Sequence, residues 1–482
     1  MKKNGKRYKA QQNKKRQQIY IEEKRNMKID QKVDDMNIEN LAISQIVVHN
    51  PIINAAKDVK VKYVNLLEKY LKLVRWSRRK FVNAELEAYK KIIFEGTEND
   101  LYYELSYYQY YMIFDLMQIT AYNFKDMDRK KIAEIEEAFL NDFKDSVDCN
   151  LTRKIFKMFD SPMKKVRLLL KDPDLEKERE YISLVKDNLN FIRKEPIGVM
   201  VTATMSAGKS TFINALTGKY ICLSQNMACT SKIHCIVNKA FEDGLSAEYD
   251  HDLVLTAGKE ELFYDNDLNA SDKIVVGTKF TGGLSRQRII VNDSPGVNYS
   301  GDETHKLITD RLIKAKNYNL LIYVMNATQL STNDESEHLD YVKRTVGSIP
   351  VLFIINKVDS FNVEEENINE TIKRQVNILK EKGFKNPIVC PVSSRAGYLA
   401  KQFEKDNLTR SERRELYNYI DKFDQMELSA YYQKTFKYIK IADHESEELQ
   451  LLKTSGLAYV EKIIIAMCKG GYKNGSKDCL QP

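Results

Sequence analysis

Long apolar segments are missing from this sequence of 482 residues. No apolar run approaches the roughly 18 residues of a membrane-spanning helix, and residues 1–30 lack the apolar stretch of a secretory signal. These absences argue against an integral membrane protein and against a secreted one. We therefore expect a cytoplasmic protein, or one that binds peripherally at the inner face of a membrane.

Paired cysteines are missing as well. The chain has 7 cysteines and no C-x-x-C pair, a usage typical of reduced thiols in a cytosolic protein. Cys222, Cys229 and Cys235 are close in sequence, but their spacing matches no zinc motif. We expect no metal bound by these cysteines.

Proline is absent from residues 52–161, and Gly96 is the only glycine there. Apolar residues such as Val59, Tyr63 and Tyr70 recur at helical spacing in this segment, which predicts long amphipathic helices. The tyrosine-dense run over residues 101–122 is expected to pack between them rather than to bind a ligand.

A last helix is predicted before the next domain. Asp172 is the expected N-cap and Pro173 the first helical residue, followed by a stripe of apolar residues at helical spacing. The stripe comprises Leu175, Tyr181, Ile182, Val185, Leu189 and Ile192. This helix should deliver the chain to the first strand of an α/β domain.

After Pro196 the pattern changes to short β-branched runs separated by helical segments. Such alternation predicts an α/β fold with a mostly parallel sheet flanked by helices and ligand loops at the strand ends, preceded by an all-α domain. The expected strands are IGVMV, KIHCIVN, RIIVND, NLLIYVMN, PVLFII and PIVCPV.

The net charge of +8 is confined to one end of the chain. Residues 1–30 contain 11 Lys or Arg and 3 Asp or Glu, which leaves 65 residues of each sign elsewhere. Such a polar basic tail is predicted to be disordered. Three interpretations stay open: it binds anionic lipid, it binds nucleic acid, or it is a solvating extension with no partner.

The segment from Ala203 to Ser210 has the form AxxxxGKS, between a predicted strand and a short helix that Gly218 should end. Backbone N–H groups of such a loop, with the helix N-terminus, can surround phosphates. Lys209 can reach the β- and γ-phosphates, and the Ser210 hydroxyl can ligate Mg²⁺. The predicted nucleotide-binding residues of this segment are Ala203, Ser206, Ala207, Gly208, Lys209, Ser210 and Thr211.

Asp293 ends another apolar strand and begins a DxxG motif that closes at Gly296. Its carboxylate can hold Mg²⁺, and the Gly296 N–H can meet the γ-phosphate. Between these two motifs, Thr230 is the candidate switch residue that closes on Mg²⁺ and the γ-phosphate, with Ser231 as its competitor.

Asn356, Lys357 and Asp359 form an NKxD motif after a further strand. A carboxylate such as that of Asp359 can accept hydrogen bonds from guanine N1–H and the 2-amino group, and adenine offers neither. Next to the base we expect the segment Ser393, Ser394 and Arg395. Four motifs in this order, each after a predicted strand, predict GTP binding.

The loop MSAGKSTFINALTG, the ACTSKI segment, DSPG and NKVD together resemble the GTPase domain of the dynamin superfamily, particularly its bacterial branch. SAGKS is the most specific element, and the resemblance covers about residues 175–470. It implies an enlarged GTPase domain, in line with the 84 residues that separate Lys209 from Asp293. The segment TSGLAYVEKIIIAM resembles the end of that domain.

The resemblance also implies a mechanism. Dynamins use the phosphate loop, with a glutamine before a serine, and a monovalent cation (K⁺ or Na⁺) fixed when two GTPase domains meet. The serine corresponds to Ser206, whereas Met205 replaces the glutamine, and Val297 stands where many small GTPases have a catalytic glutamine. The implied catalytic residues are Ser206, Lys209, Thr230 and Gly296, and the implied Mg²⁺ ligands are Ser210, Thr230 and Asp293. We expect slow GTP hydrolysis that rises on dimerisation.

The predicted organisation is a basic tail (1–45), a helical arm or bundle (46–195), a dynamin-like GTPase domain (196–470) and a short C-terminal tail (471–482). Family members usually continue into a helical stalk, so the N-terminal helices would form the arm alone or with a partner protein. Two functions stay open: a dynamin-like GTPase acting at anionic membranes, and a nucleotide-dependent switch that recruits a protein or RNA.

Overall fold

The computed structural model describes residues 46–77, 79–98, 103–121, 126–159, 162–222, 233–249, 253–254, 257, 273–295, 303–361, 367–426 and 428–469. The chain divides into two compact units, Met1–Asn190 and Phe191–Pro482. The predicted boundary after residue 195 lies close to this division, and the four-part domain scheme stays a prediction. The basic tail up to residue 45 lies outside the described residues.

The described part of the first unit is helical. Its first long helix buries Val59, Tyr63, Leu67 and Tyr70, the stripe that the sequence predicts. The tyrosine-dense run supplies a helix whose residues are all buried. The helices are α1 (Lys57–Lys72), α2 (Arg79–Glu95), α3 (Gln109–Ile119), α4 (Arg129–Asp142), α5 (Cys149–Phe156), α6 (Pro162–Leu169) and α7 (Arg179–Ile192).

A buried carboxylate accounts for two tyrosines of this core. Asp115 of α3 accepts hydrogen bonds from the Tyr63 hydroxyl, from the Tyr181 hydroxyl at 2.5 Å and from the Asn50 amide at 2.7 Å. Burial raises the pKa of Asp115 to about 6, although these donors stabilise its charged form. The phenol groups thus satisfy a charge that has no cation among its hydrogen-bond partners, which gives them a structural role.

The predicted start of the last arm helix is wrong. Asp172 caps only a 3-10 turn, Pro173–Leu175, and α7 begins at Arg179. The Asp172 side chain accepts from the Asp174 N–H, two residues on, and pairs with Lys154 of α5. An aspartate bonded in this way closes a local turn rather than starting a full helix.

In the described part of the second unit, 9 strands form one sheet, in the order β4-β3-β5-β2-β6-β1-β7-β8-β9. Strands β6, β1, β7, β8 and β9 are parallel, so their carboxyl ends meet at one edge. The strands are β1 (Ile197–Ala203), β2 (Ile233–Asn238), β3 (Ala247–Tyr249), β4 (Leu253–Val254), β5 (Lys273–Thr278), β6 (Ile289–Asp293), β7 (Leu320–Asn326), β8 (Val351–Asn356) and β9 (Ile388–Val392).

The mostly parallel sheet and the six predicted strands are confirmed. The sequence analysis missed β3, β4 and β5, which lie in the long segment between Lys209 and Asp293. β2 runs antiparallel to β6 and parallel to β5, so this segment extends the sheet on one side. Strands of two or three residues such as β4 and β3 are too short to show periodicity, whereas β5 was recognisable from its KIVVGT run.

Helices pack around the sheet. One buried contact ties the C-terminal helix to the phosphate-loop helix: the Lys401 ammonium donates to Glu461 Oε1 at 2.6 Å and to the Leu216 carbonyl at 3.0 Å. The helices are α8 (Lys209–Thr217), α9 (Glu303–Ala315), α10 (Asn333–Val346), α11 (Ile368–Glu381), α12 (Ser394–Phe403), α13 (Arg410–Gln425), α14 (Leu428–Thr435), α15 (Glu447–Thr454) and α16 (Leu457–Cys468).

Among the described residues, none of the helices combines the length and the apolar content that crossing a membrane would require.

Candidate functional site

The phosphate loop joins β1 to α8 at the edge where the parallel strands end. Ser206 and Gly208 both have positive φ, 61° and 79°, so the chain reverses tightly before the helix. The Phe212 N–H donates to the Gly208 carbonyl at 2.9 Å. Because the N–H groups of the first turn have no helical acceptor, they are available to a phosphate at this end of α8.

Lys209 and Asp293 form a buried ion pair within this site. The Lys209 ammonium contacts Asp293 Oδ1, and the two side chains are 8% and 0% exposed. They meet because Asp293 ends β6, which pairs with β1 in register, Val201 opposite Asp293. The two functional groups predicted from separate motifs are therefore adjacent in the structure.

The second oxygen of Asp293 fits a divalent cation. Oδ2 is buried and has no hydrogen-bond partner among the described residues. An orphaned carboxylate oxygen is costly in a protein interior unless a cation or water satisfies it. Ser210 lies half-buried on the first turn of α8, and the sequence analysis predicts that its hydroxyl binds the same Mg²⁺ as Asp293. This donor set of oxygens is the kind that Mg²⁺ prefers.

Asn356 fastens the NKxD segment to the phosphate loop. Its amide donates to the carbonyls of Ala207, at 3.0 Å, and Gly208, at 3.3 Å. Its side-chain oxygen accepts from the Ser394 N–H at 3.1 Å. One side chain therefore joins three of the predicted motifs into a single site.

Asn326 is a site residue that the sequence analysis missed. It ends β7, in register with Asn356 at the end of β8, and donates to the Ser206 carbonyl at 3.4 Å. The signal was present in the sequence, because both neighbouring strands end in asparagine. Two parallel strands thus contribute amides to the carbonyls of one loop.

The predicted base-binding residues lie at the same edge. Lys357 has positive φ, 64°, and leads into the 3-10 turn Val358–Ser360 that carries Asp359. Ser393 caps α12 through the Ala396 N–H at 3.2 Å. The Ser394 hydroxyl is buried and has no hydrogen-bond partner among the described residues. Asp359 lies near Tyr419. Burial raises the pKa of the Tyr419 hydroxyl, and the negative charge of Asp359 raises it further.

Arg395 is paired with acidic residues of α13 and is about one-third exposed. Its guanidinium donates to Glu415 at 3.0 and 2.7 Å and to Glu412 at 3.4 Å. These ion pairs fix α12 against α13, so Arg395 has a structural role whether or not it reaches a base.

Thr230 and Gly296 lie outside the described residues, as do Ser231 and Val297. Their assigned roles stay predictions. The remaining loop residues are placed by the described part of the chain. Ala203 ends β1 and is buried, Ala207 is buried, and Thr211 is half-buried on α8.

Two titratable groups beside β1 are neutral. Burial, and then the Asp293 carboxylate, raise the pKa of the Cys222 thiol well above its usual range. Burial lowers the pKa of His338 to about 4, and the ring contacts the Thr202 hydroxyl at 3.0 Å. Neither group is therefore charged near neutral pH.

Gly208 approaches Asn356 so closely that an added side chain would require Asn356 to move. A Cβ added to Gly208 would lie 2.4 Å from the Asn356 amide nitrogen. We expect Gly208→Ala to displace Asn356 and weaken binding of a fluorescent GDP analogue at least about 10-fold, the loss expected for about 1.4 kcal/mol.

Gly244→Ala is the matched control for Gly208→Ala. Gly244 has nearly the same φ, +77°, but nothing lies within 4 Å of its added Cβ. Equal GDP affinity in the two variants would show that the close approach at Gly208 has no role in binding.

The phosphate loop, the buried aspartate and the NKxD segment at one sheet edge define a P-loop nucleotide-binding protein of the GTPase class. Residues 199–358 match the model of the dynamin family. This segment is therefore similar to the GTPase domain of the dynamin family, and its motifs are those of a GTPase.

A curated bacterial dynamin-like protein from Nostoc punctiforme is 28% identical over 232 residues, which cover 42% of this chain and 31% of that protein. The chain therefore spans about a third of the length of this relative, counted over the matched region.

Solved structures to which this chain shows some similarity include an oligomerised bacterial dynamin pair, described as providing a mechanism for the long-range sensing and tethering of membranes. Its TM-score is 0.35 and its sequence identity to this chain is 16%. The alignment covers 88% of this chain and 60% of the chain in that structure. A second is Era bound to MgGDPNP and a 16S ribosomal RNA segment, with a TM-score of 0.27 and 16% identity. That likeness covers 44% of this chain and 56% of Era. Similarities of this size do not establish function.

Proposed function

We propose that this chain binds GTP with Mg²⁺, hydrolyses it slowly, and turns over faster when two GTPase domains meet. The observation that carries the proposal is the position of Asn356. Its hydrogen bonds to Ala207, Gly208 and Ser394 link the phosphate loop to the base-binding segments. A nucleotide held by Lys209 would therefore have its base near Asp359.

Guanine selectivity follows from the chemistry of Asp359. Its carboxylate accepts hydrogen bonds from N1–H and the 2-amino group of guanine. Adenine would leave that carboxylate unpaired, which can change affinity by orders of magnitude. Ser393, Ser394 and Arg395 complete this side of the proposed site.

Hydrolysis requires positioning and charge neutralisation more than covalent chemistry. Lys209 would bind the β- and γ-phosphates, and the Gly296 N–H would contact the γ-phosphate. Ser210, Thr230 and Asp293 would hold Mg²⁺, which would supply positive charge to neutralise the phosphates. The Thr230 backbone would orient the attacking water.

The phosphate loop also offers a surface for a second GTPase domain. Met205 is 37% exposed although it is a large apolar residue, and Ser206 beside it is exposed as well. Burial of the Met205 side chain against a second domain would favour the dimer. In the dimer, Ser206 would hold a monovalent cation near the transferred phosphate.

Ser206→Ala should lower GTP turnover in K⁺ with little loss of GTP affinity, because only the cation ligand is removed. The measurement is turnover per molecule against protein concentration, in K⁺ and in Na⁺. Ser331→Ala is the matched control, since Ser331 also has positive φ, 65°, outside the loop. Unchanged turnover in Ser206→Ala would remove the cation role.

A turnover that does not change with concentration would favour the second candidate, a slow switch that recruits a partner protein or RNA. Its support is the replacement of the dynamin glutamine by Met205. Membrane action would involve the basic tail. Sedimentation with anionic liposomes, with and without residues 1–30 and with RNA as competitor, separates attachment to lipid from general attraction to phosphate.

A further inference from the structure

A cavity of about 840 Å³ lies in the helical unit, far in sequence from the nucleotide motifs. It is formed where α1 ends, the chain turns and α2 begins, and Lys131 of α4 contributes to its wall. This volume is within the range of sites that hold a drug-sized ligand, ~300–1,000 Å³.

The turn that forms one wall is fixed by hydrogen bonds. The Ser77 N–H and hydroxyl both donate to the Asp126 carboxylate, at 3.0 and 2.8 Å. The Trp76 indole N–H donates to the Leu71 carbonyl at 2.8 Å. The cavity is therefore formed in advance of any ligand, which lowers the entropic cost of binding.

The floor of the cavity is apolar. The indole N–H is the only polar hydrogen on its side chains, and it is already used. A nucleobase or sugar placed there would leave its polar atoms unsatisfied, whereas a hydrocarbon chain would not. The floor residues, each less than 9% exposed, are Leu71, Val74, Trp76, Val82 and Leu86.

The rim of the cavity is basic. Glu68 pairs with Lys72 and Lys90, and Glu87 pairs with Lys90 at 2.9 Å. The five cations outnumber the two anions, Glu68 and Glu87; the cations are Lys72, Arg75, Arg79, Lys90 and Lys131.

Two guanidinium groups of the rim are available to a ligand. Arg75 and Arg79 make no ion pair within the described part of the chain, and both are exposed. Arg79 also begins α2, where the helix N-terminus favours negative charge. Guanidinium groups bind carboxylates and phosphates through paired hydrogen bonds. The basic tail of this chain is a poor occupant, because its own charge repels this rim.

We propose that the cavity binds a single-chain anionic amphiphile. The hydrocarbon chain would cover the floor, and the carboxylate or phosphate group would pair with Arg75 and Arg79. The residues of this site belong to the helical unit, whereas the nucleotide motifs belong to the second unit.

Trp76 is the only tryptophan of the chain and lines this cavity, so its emission reports occupancy. The experiment titrates the full-length protein with dodecyl phosphate below its micelle concentration, and follows tryptophan emission and binding heat. We expect a saturable change with dodecyl phosphate and none with inorganic phosphate. Dodecyl maltoside, which has the same chain and a neutral head, should bind at least about 10-fold more weakly.

The double variant Arg75→Gln/Arg79→Gln should lose at least about 10-fold in affinity for dodecyl phosphate. Arg153→Gln/Arg179→Gln is the matched control, because these arginines are 57% and 46% exposed and lie outside the cavity. Asn83→Trp fills the cavity from an exposed lining position and should abolish the binding heat. Circular dichroism verifies that each variant is folded.

Three outcomes would overturn the proposal. The first is no saturable binding of dodecyl phosphate by calorimetry. The second is equal affinity in the two arginine double variants, or for the charged and neutral amphiphiles. The third is a tryptophan response that requires phosphatidylglycerol vesicles and disappears when residues 1–30 are removed, which would indicate surface attachment through the tail.

Discussion

Replacing Lys209 with alanine is expected to lower GTP affinity at least about 100-fold, because the ammonium group is the main cation for the phosphates. A charged hydrogen bond contributes about 1.5–3 kcal/mol, and Lys209 would make more than one. The variant also leaves the Asp293 carboxylate, which is 0% exposed in the ion pair, buried without a partner. Titration with a fluorescent GTP analogue measures the loss.

Lys219→Ala is the control for Lys209→Ala. Lys219 follows the other end of α8 and pairs with Glu242 at 3.3 Å, away from the phosphate loop. We expect its GTP affinity to match that of the unchanged protein. Normal GTP affinity in Lys209→Ala would contradict the assignment of the loop.

Breaking the buried ion pair between Lys401 and Glu461 is expected to cost the GTPase domain about 3–5 kcal/mol of unfolding free energy. The two side chains are 0% and 4% exposed. In Lys401→Met, the Gly283 N–H at 2.8 Å is the one donor that Glu461 keeps among the described residues, and the Leu216 carbonyl loses the Lys401 ammonium. In calorimetry of the full chain, the transition of the GTPase domain is the one whose midpoint temperature rises when GDP is added. In Lys401→Met this midpoint temperature should fall by roughly 10 °C.

Two further variants separate the ion pair from general packing. Lys382→Met is the matched control, since Lys382 pairs with Asp340, which is 51% exposed, and should cost at most about 1 kcal/mol. Lys401→Met/Glu461→Leu should recover much of the loss, because a buried pair replaced by apolar residues leaves no unpaired charge. Equal midpoint temperatures of unfolding in Lys401→Met and Lys382→Met would show that the buried pair does not stabilise the domain.

The sequence predicted the parts of the site that depend on local pattern. The phosphate loop, Asp293 and Asn356 each follow a buried strand, and parallel strands bring such residues to one edge. It could not predict contacts that depend on tertiary packing. The pairing of Lys209 with Asp293 and the hydrogen bond from Asn326 to Ser206 require the order and register of the strands.

The same limit applies to the helical unit. Helical periodicity identified α1 and the buried tyrosines, because burial of one face is a local property of the pattern. Asp172 met the rule for an N-cap but caps a 3-10 turn, since Lys154 and Asp174 compete for its carboxylate. The cavity beside Trp76 could not be predicted, because residues of three helices and one turn form it.

The most direct test of the central claim is equilibrium binding of GTP and ATP to the full chain, with Asp359→Asn measured in parallel. We predict that GTP binds at least about 100-fold more tightly than ATP, and that Asp359→Asn loses most of this preference by weakening GTP alone. Equal affinities of the unchanged protein for GTP and ATP, or a preference that survives in Asp359→Asn, would contradict the account.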